Sequence, residues 1–175
     1  MLVANGLIKG IGISLRNPTK EFIEKVKWYP NAVIHTIVGV LTPSQIKRLI
    51  DNDLKILILG YKDLGRGIDY KANNSKEWEQ NYKYLYNVLP SIVSRCKLVS
   101  FDNLSLEQLD VRRLLTQEEW DSFYMGDEGS STMFVDLVTQ KFGISSLCSP
   151  EEMWPILPDI KDMFARVKEE ARKSK

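Results

Sequence analysis

Cysteine and histidine are scarce in this chain. Its 175 residues hold two cysteines, Cys96 and Cys148, and one histidine, His35. A structural zinc site takes four Cys or His ligands, usually in close pairs. An iron–sulfur cluster takes three or four thiolates. Neither assembles from this set. Two cysteines far apart also exclude a disulfide-stapled secreted scaffold, and read as thiols in a reducing compartment. An excess of one charge is missing too. The 24 Lys and Arg against 23 Asp and Glu leave a formal net charge of +1, so nucleic acid is not indicated as a partner. No apolar run approaches the roughly 20 residues of a membrane span. Met1 to Leu7 carries no charged segment leading into an apolar one, so it does not read as a secretory signal. What is present is an ordinary globular composition, 43% hydrophobic and 27% charged. The length suggests one domain, with 1–104 built of βα repeats and 105–175 a helical and hairpin extension.

The first part alternates strand and helix patterns. Lys9–Leu15 reads as a short strand, followed by Asn17-Pro18 as N-cap and first helical residue and by the apolar stripe Phe22, Ile23 and Val26. Ala32–Leu41 is β-branched and apolar on both faces, which suits a buried parallel strand. Thr42 to Gln45 is a capping box with proline in the first turn, and Ile46, Leu49 and Ile50 form the next stripe. Lys55–Tyr61 is a third strand, and 62–71 a polar, glycine-bearing loop. Trp78, Tyr82, Leu85, Tyr86 and Leu89 share one face of a long helix capped around Asn73–Ser75; Tyr84, off that stripe, reads as exposed. Lys97–Asp102 is a fourth strand. This βαβαβαβ order implies parallel strands with right-handed crossovers.

After Asn103 the rhythm changes. Ser105 to Gln108 and Thr116 to Glu119 read as capping boxes of short helices. Thr132–Val138 and Lys141–Ser145 read as an antiparallel hairpin. Pro150, Pro155 and Pro158 mark an irregular crossing. Asp159 then caps a C-terminal helix with the stripe Ile160, Met163, Phe164, Val167 and Ala171, whose charged end from Lys168 is expected to fray.

Several segments resemble the C-terminal half of a family of bacterial and phage-associated radical S-adenosylmethionine-like proteins. They are Asn31–Val40, Leu57–Gly67, Ser100–Leu104 and Phe123–Gly129, with Thr132, Met133 and Asp136 after them; the likeness runs from about Leu7 to Phe164. The resemblance implies a partial TIM barrel and the cytoplasm of a bacterial host. In the family's enzymes a CxxxCxxC loop holds a [4Fe–4S] cluster, and S-adenosylmethionine binds that cluster at the barrel mouth. Neither Cys96 nor Cys148 stands in such a motif, so no cofactor is expected for the isolated chain and the family's activity does not carry over to it.

Chemistry in β/α barrels sits where strands end. Those positions here are Ser14, Arg16 and Asn17; Lys62, Asp63 and Arg66; and Asp102 and Asn103. By resemblance they would line a cofactor mouth; as residue types they read first as N-caps and solvated loop polars. The glycines and cations of Gly60–Gly67 suit a phosphate cradle in composition, but match neither a P-loop nor GxGxxG. His35, flanked by Ile34 and Thr36, reads as a hydrogen-bonded core histidine. Asp127, Glu128 and Asp136 form either an acidic face or a turn.

About four parallel strands do not close a barrel, which needs about eight. The open edges and the barrel-facing side therefore call for a cover. That cover is the chain's own C-terminal part, a second copy in a homodimer, or a partner protein. The leading expectation is a non-catalytic protein-binding module derived from a radical-enzyme-like half-barrel, acting as a phage counter-defence inhibitor, anti-CRISPR-like, of a bacterial immune effector. The alternative is one subunit of a split radical S-adenosylmethionine enzyme whose partner chain brings the cluster and the missing barrel half. A remnant without activity stands as a third.

Overall fold

The computed structural model describes residues 5–15 and 17–173. The chain divides into two compact units, one ending at Leu114 and the other beginning at Leu115. The first carries β1 (Ile11–Ser14), α1 (Lys20–Lys27), β2 (Ala32–Ile37), α2 (Pro43–Leu49), β3 (Lys55–Leu59), α3 (Arg66–Asn73), α4 (Ser75–Arg95), β4 (Leu98–Phe101), α5 (Asn103–Gln108) and a 3-10 turn, Val111–Leu114. Its sheet has the order β1-β2-β3-β4, and every neighbouring pair is parallel. Chain order and spatial order coincide, as in half of a β/α barrel.

Period-2 alternation assigns the two faces of this sheet. Ala32, Ile34 and Thr36 of β2 and Ile56 and Ile58 of β3 are buried. Ala32, Ile34, Ile56 and Ile58 join Ile23 and Val26 of α1, Ile46 and Leu49 of α2, and Leu85, Leu89 and Ile92 of α4 in one core cluster. All these helices therefore lie on one side. The expected amphipathic stripes are the reason: each helix has one apolar face to bury, and the sheet offers it β-branched residues.

Local chemistry shifts several boundaries. The α1 cap is Thr19 rather than Asn17: its hydroxyl accepts from Phe22 N at 3.2 Å, and the Asn17 carbonyl only turns the chain by accepting from Thr19 N. β2 stops at Ile37, because Gly39 takes φ +75° and a Cβ there would meet the Trp78 indole at 2.3 Å. The Thr42 capping box forms as expected, with Gln45 answering Thr42 N at 3.0 Å. The segment expected as a loop over 62–71 instead starts α3 at Arg66; Gly65, at φ +51°, supplies the turn into it. Tyr84 is half-buried and packs on the core, because α4 runs close along the sheet layer.

Pro90 lies inside α4. Proline has no N–H to offer the carbonyl four residues back, which is that of Tyr86. Arg113 takes that carbonyl instead, Nη2 donating to Tyr86 O at 2.8 Å, with its guanidinium 4.0 Å from the Tyr86 ring centre.

The second unit carries α6 (Gln117–Phe123), β5 (Phe134–Asp136), β6 (Lys141–Gly143), β7 (Trp154–Pro155) and α7 (Ile160–Lys173). The capping box at Thr116 and Glu119 is present. So is the antiparallel hairpin, β5 with β6. The segment expected as an irregular crossing adds a third strand, β7, beside β6. Pro155 is tolerated there because β7 is an edge strand, where a missing N–H costs no ladder bond. Phe142, Met163 and Val167 make this unit's own small core. α7 continues to Lys173 instead of fraying from Lys168; Lys173 pairs with Glu169 at 2.9 Å and Glu170 at 3.4 Å. Such pairs, one turn apart, support a helix end.

Candidate functional site

The C-terminal ends of β3 and β4 are tied into one frame. The Asp102 carboxylate caps α5, with Oδ1 accepting from Ser105 N at 2.8 Å. The same oxygen accepts from Gly60 N, also at 2.8 Å. Ser105, expected as the cap, is instead fully buried and donates to the carbonyl of Ile58 at 2.7 Å. Gln108 brackets Tyr61 as a strand neighbour would: Oε1 accepts from Tyr61 N at 2.8 Å and Nε2 donates to Tyr61 O at 2.9 Å. The Tyr61 hydroxyl donates to Gly67 O and closes the 62–67 loop on itself. Burial pushes the Tyr61 phenol up, with Asp63 adding to the shift.

The described strand-end candidates fall on the same end of the sheet, yet in different states. Asp102 is committed to the frame, and Asn103 is the first residue of α5. Asp63 is exposed and pairs with Lys71 at 2.9 Å. Lys62 is exposed in the loop, and Arg66 is exposed at the start of α3. Ser14 ends β1, in register with His35, and Asn17 is exposed. Arg16 lies outside the described residues. The glycines considered for a phosphate cradle have a turn-building role: Gly65 takes positive φ, and a Cβ on Gly67 would sit 2.1 Å from Lys62 O. Asp127 and Asp136 serve turns as well. Tyr124 donates to Asp127, and burial with that bond pushes its phenol up to about 12. Asp136 accepts from Val138 N and the Thr139 hydroxyl.

Sequence reasoning missed Gln108 because the Ser-x-x-Gln pattern matched a capping box. The Asp102-x-x-Ser105 pattern three residues earlier was the better signal. It also missed an aromatic ladder on the helix layer. Tyr61, Trp78, Tyr82 and Tyr86 follow one another at 5.3, 5.5 and 6.2 Å between ring centres, and Lys71 stands 4.5 Å over Trp78. The regular spacing of Trp78, Tyr82 and Tyr86 along the helix was visible; their ring contacts, edge-on, stacked and tilted in turn from Tyr61, were not.

The other distinctive surface is the sheet's second face. Val33, His35 and Ile37 of β2 and Leu57 and Leu59 of β3 alternate with the buried set, and none belongs to the core cluster. Ile37 is 41% and Leu98 50% exposed. His35 is a correction. It is half-buried on this bare face, because Ile34 and Thr36 take the helix side. Its ring lies over Gly12, where a Cβ would be 2.5 Å from Cε1. It makes no side-chain hydrogen bond with a described residue.

The residues present do not fit an iron–sulfur cluster. Three thiolates are needed at least, and the two cysteines belong to different units. Burial pushes the Cys96 thiol up, away from the thiolate that binds metal. Among the described residues no group of three or more His, Cys, Asp or Glu is placed to hold a metal ion, and no helix is long and apolar enough to cross a membrane. Comparison with family models, with curated proteins and with solved structures finds no match.

Proposed function

We propose that the chain is a protein-binding module on a half-barrel scaffold of radical S-adenosylmethionine-like descent, with no reaction of its own, and that its bare sheet face is the contact surface. One observation carries the reading. A four-stranded parallel sheet has all its core-forming helices on one side and an apolar row, Val33, Ile37, Leu57, Leu59 and Leu98, on the other. Ile37 and Leu98 are exposed and Val33, Leu57 and Leu59 half-buried, and apolar surface gathered in this way supports reading the face as an interaction site. Parallel sheets are ordinarily covered on both faces. Of the two partner classes, an immune effector and a missing barrel half, the bare face with two free edges favours the second: further strands satisfy both at once. Closing the barrel would also wall in the strand-end positions around Ser14, Lys62 and Asp102.

The test is affinity capture with the wild-type chain and Leu57→Lys side by side, read by mass spectrometry. The substitution places a charge on the bare face and leaves the buried set alone. A partner held by the wild type and lost with Leu57→Lys is the expected result. A nuclease effector as that partner would favour the inhibitor reading, and a CxxxCxxC protein the split enzyme. Identical recovery with both baits would overturn the proposal.

A further inference from the structure

The structure points to a second copy of this chain as the occupant of the bare face, the two half-barrels closing on one another with all strands parallel. This rests on the docking reading above and names its partner.

Strand number comes first. One chain supplies four parallel strands in sequential order, and a small closed barrel takes about eight. The edges come second. β1 and β4 are the free edges of the sheet. A two-fold axis along the strands sets β4 of one copy beside β1 of the other in the parallel sense, and does so twice. Both edges are then paired, which is the one arrangement that abolishes them.

Volume is the third argument. The interior of a β/α barrel is filled in layers of four side chains drawn from alternate strands. On the bare face β1 presents only Gly12 and Ser14, and its alternate strand β3 presents Leu57 and Leu59 beyond the rim residue Lys55. Two copies therefore contribute two small and two large side chains to such layers, the mixture that interdigitates without voids. A partner with uniformly large residues would overfill the β3 side. Charge does not oppose the pairing. The formal net charge is +1, so long-range repulsion between copies is weak. Lys55, on this face, is the first residue of β3, with Nζ 3.5 Å from Asn31 Oδ1. At that rim its ammonium stays in water when the apolar row is covered.

The deciding experiment is sedimentation velocity with light scattering on the full chain. The expected result is twice the chain mass for the wild type and for Lys47→Glu on the helix layer. Leu57→Lys is expected to return to the chain mass, with its far-UV circular dichroism and cooperative melting retained. Ile37→Ser is a milder probe should the lysine disturb folding. It is expected to raise the dimer dissociation constant by about tenfold or more, from the apolar area lost twice over. A wild-type chain of single mass overturns the second copy, as does a dimer that Leu57→Lys leaves intact. The two readings separate cleanly. A single-mass wild type that still loses a different captured protein on Leu57→Lys keeps the docking surface and removes the second copy. A single-mass chain with identical recovery in both captures removes both.

Discussion

β2 and β3 have two sides with opposite fates. Ile34, Ile56 and Ile58 are 0%, 2% and 2% exposed beneath the helices. One residue further along the same strands, His35 and Leu57 lie outside the core cluster, and Ile37 is 41% exposed. Apart from His35 and Lys55 on the second face, both sides are mainly aliphatic. Isoleucine serves both, so what separates them is which side the connecting helices occupy. Hydrophobicity says that a strand is buried, and topology says how much of it the chain buries by itself.

The comparison is sharpened by substitutions on each side. Ile56→Ala removes core contacts and is expected to cost about 2–5 kcal/mol. Leu57→Ala, in chain dilute enough to be monomeric, is expected to cost about 1 kcal/mol. Denaturant melts of the pair measure the difference, and equal losses would mean that the second face is covered within the chain. Next in size is Asp102→Ala. It removes the α5 cap and leaves Gly60 N without its carboxylate partner, an expected cost of about 2 kcal/mol. Faster amide exchange at Gly60 and Ser105 would be its local sign. Thr42→Ala breaks a capping box on the helix side alone. It is expected to cost about 1 kcal/mol in the same melts, without altering association.

The smallest effect is a pH dependence. The Arg95 guanidinium, hydrogen-bonded to Asp51 at 2.8 Å, holds the Asp51 carboxyl below its ordinary value. A lowered folded value means that its stabilisation is complete above the unfolded carboxylate range and is lost as pH falls through the folded value. The pair is exposed and therefore screened. Asp51→Asn should flatten the acid limb of the stability profile slightly and leave the neutral region almost unchanged. Steeper acid loss in the variant would contradict the assignment.

Much of the fold was legible because its signals are local. The β-branched runs of β2 and β3, the stripe of α4 and the boxes at Thr42 and Thr116 each lie within a few residues. The misread positions depended on competition or on distant partners. Asn17 and Thr19 both suit a cap, and the hydroxyl took it. Asp102 and Ser105 both suit one, and the carboxylate won because it also holds Gly60, 42 positions away in the sequence. α3 was hidden by Gly65 and Gly67, which resemble a loop until Tyr61 pins the turn. The β/α rhythm located the ends of β1, β3 and β4, where the described strand-end residues lie. That Asp102 would be structural and Gln108 a surrogate strand depended on contacts between β3 and α5, which no spacing encodes. His35 followed the alternation of β2, but which side would be bare required knowing where every helix goes.

Pro90 and Arg113 bear on how this molecule tolerates change over generations. Because the proline withdraws a donor and the arginine replaces it, position 113 is constrained for as long as Pro90 is present. Loss of Arg113 strands a carbonyl only while Pro90 is present. Replacing Pro90 by alanine restores the helical donor and makes the arginine dispensable. The two positions are thus coupled through one carbonyl, that of Tyr86, 27 residues before the guanidinium that caps it: substituting Pro90 first leaves position 113 open to change, whereas substituting Arg113 first leaves that carbonyl to solvent.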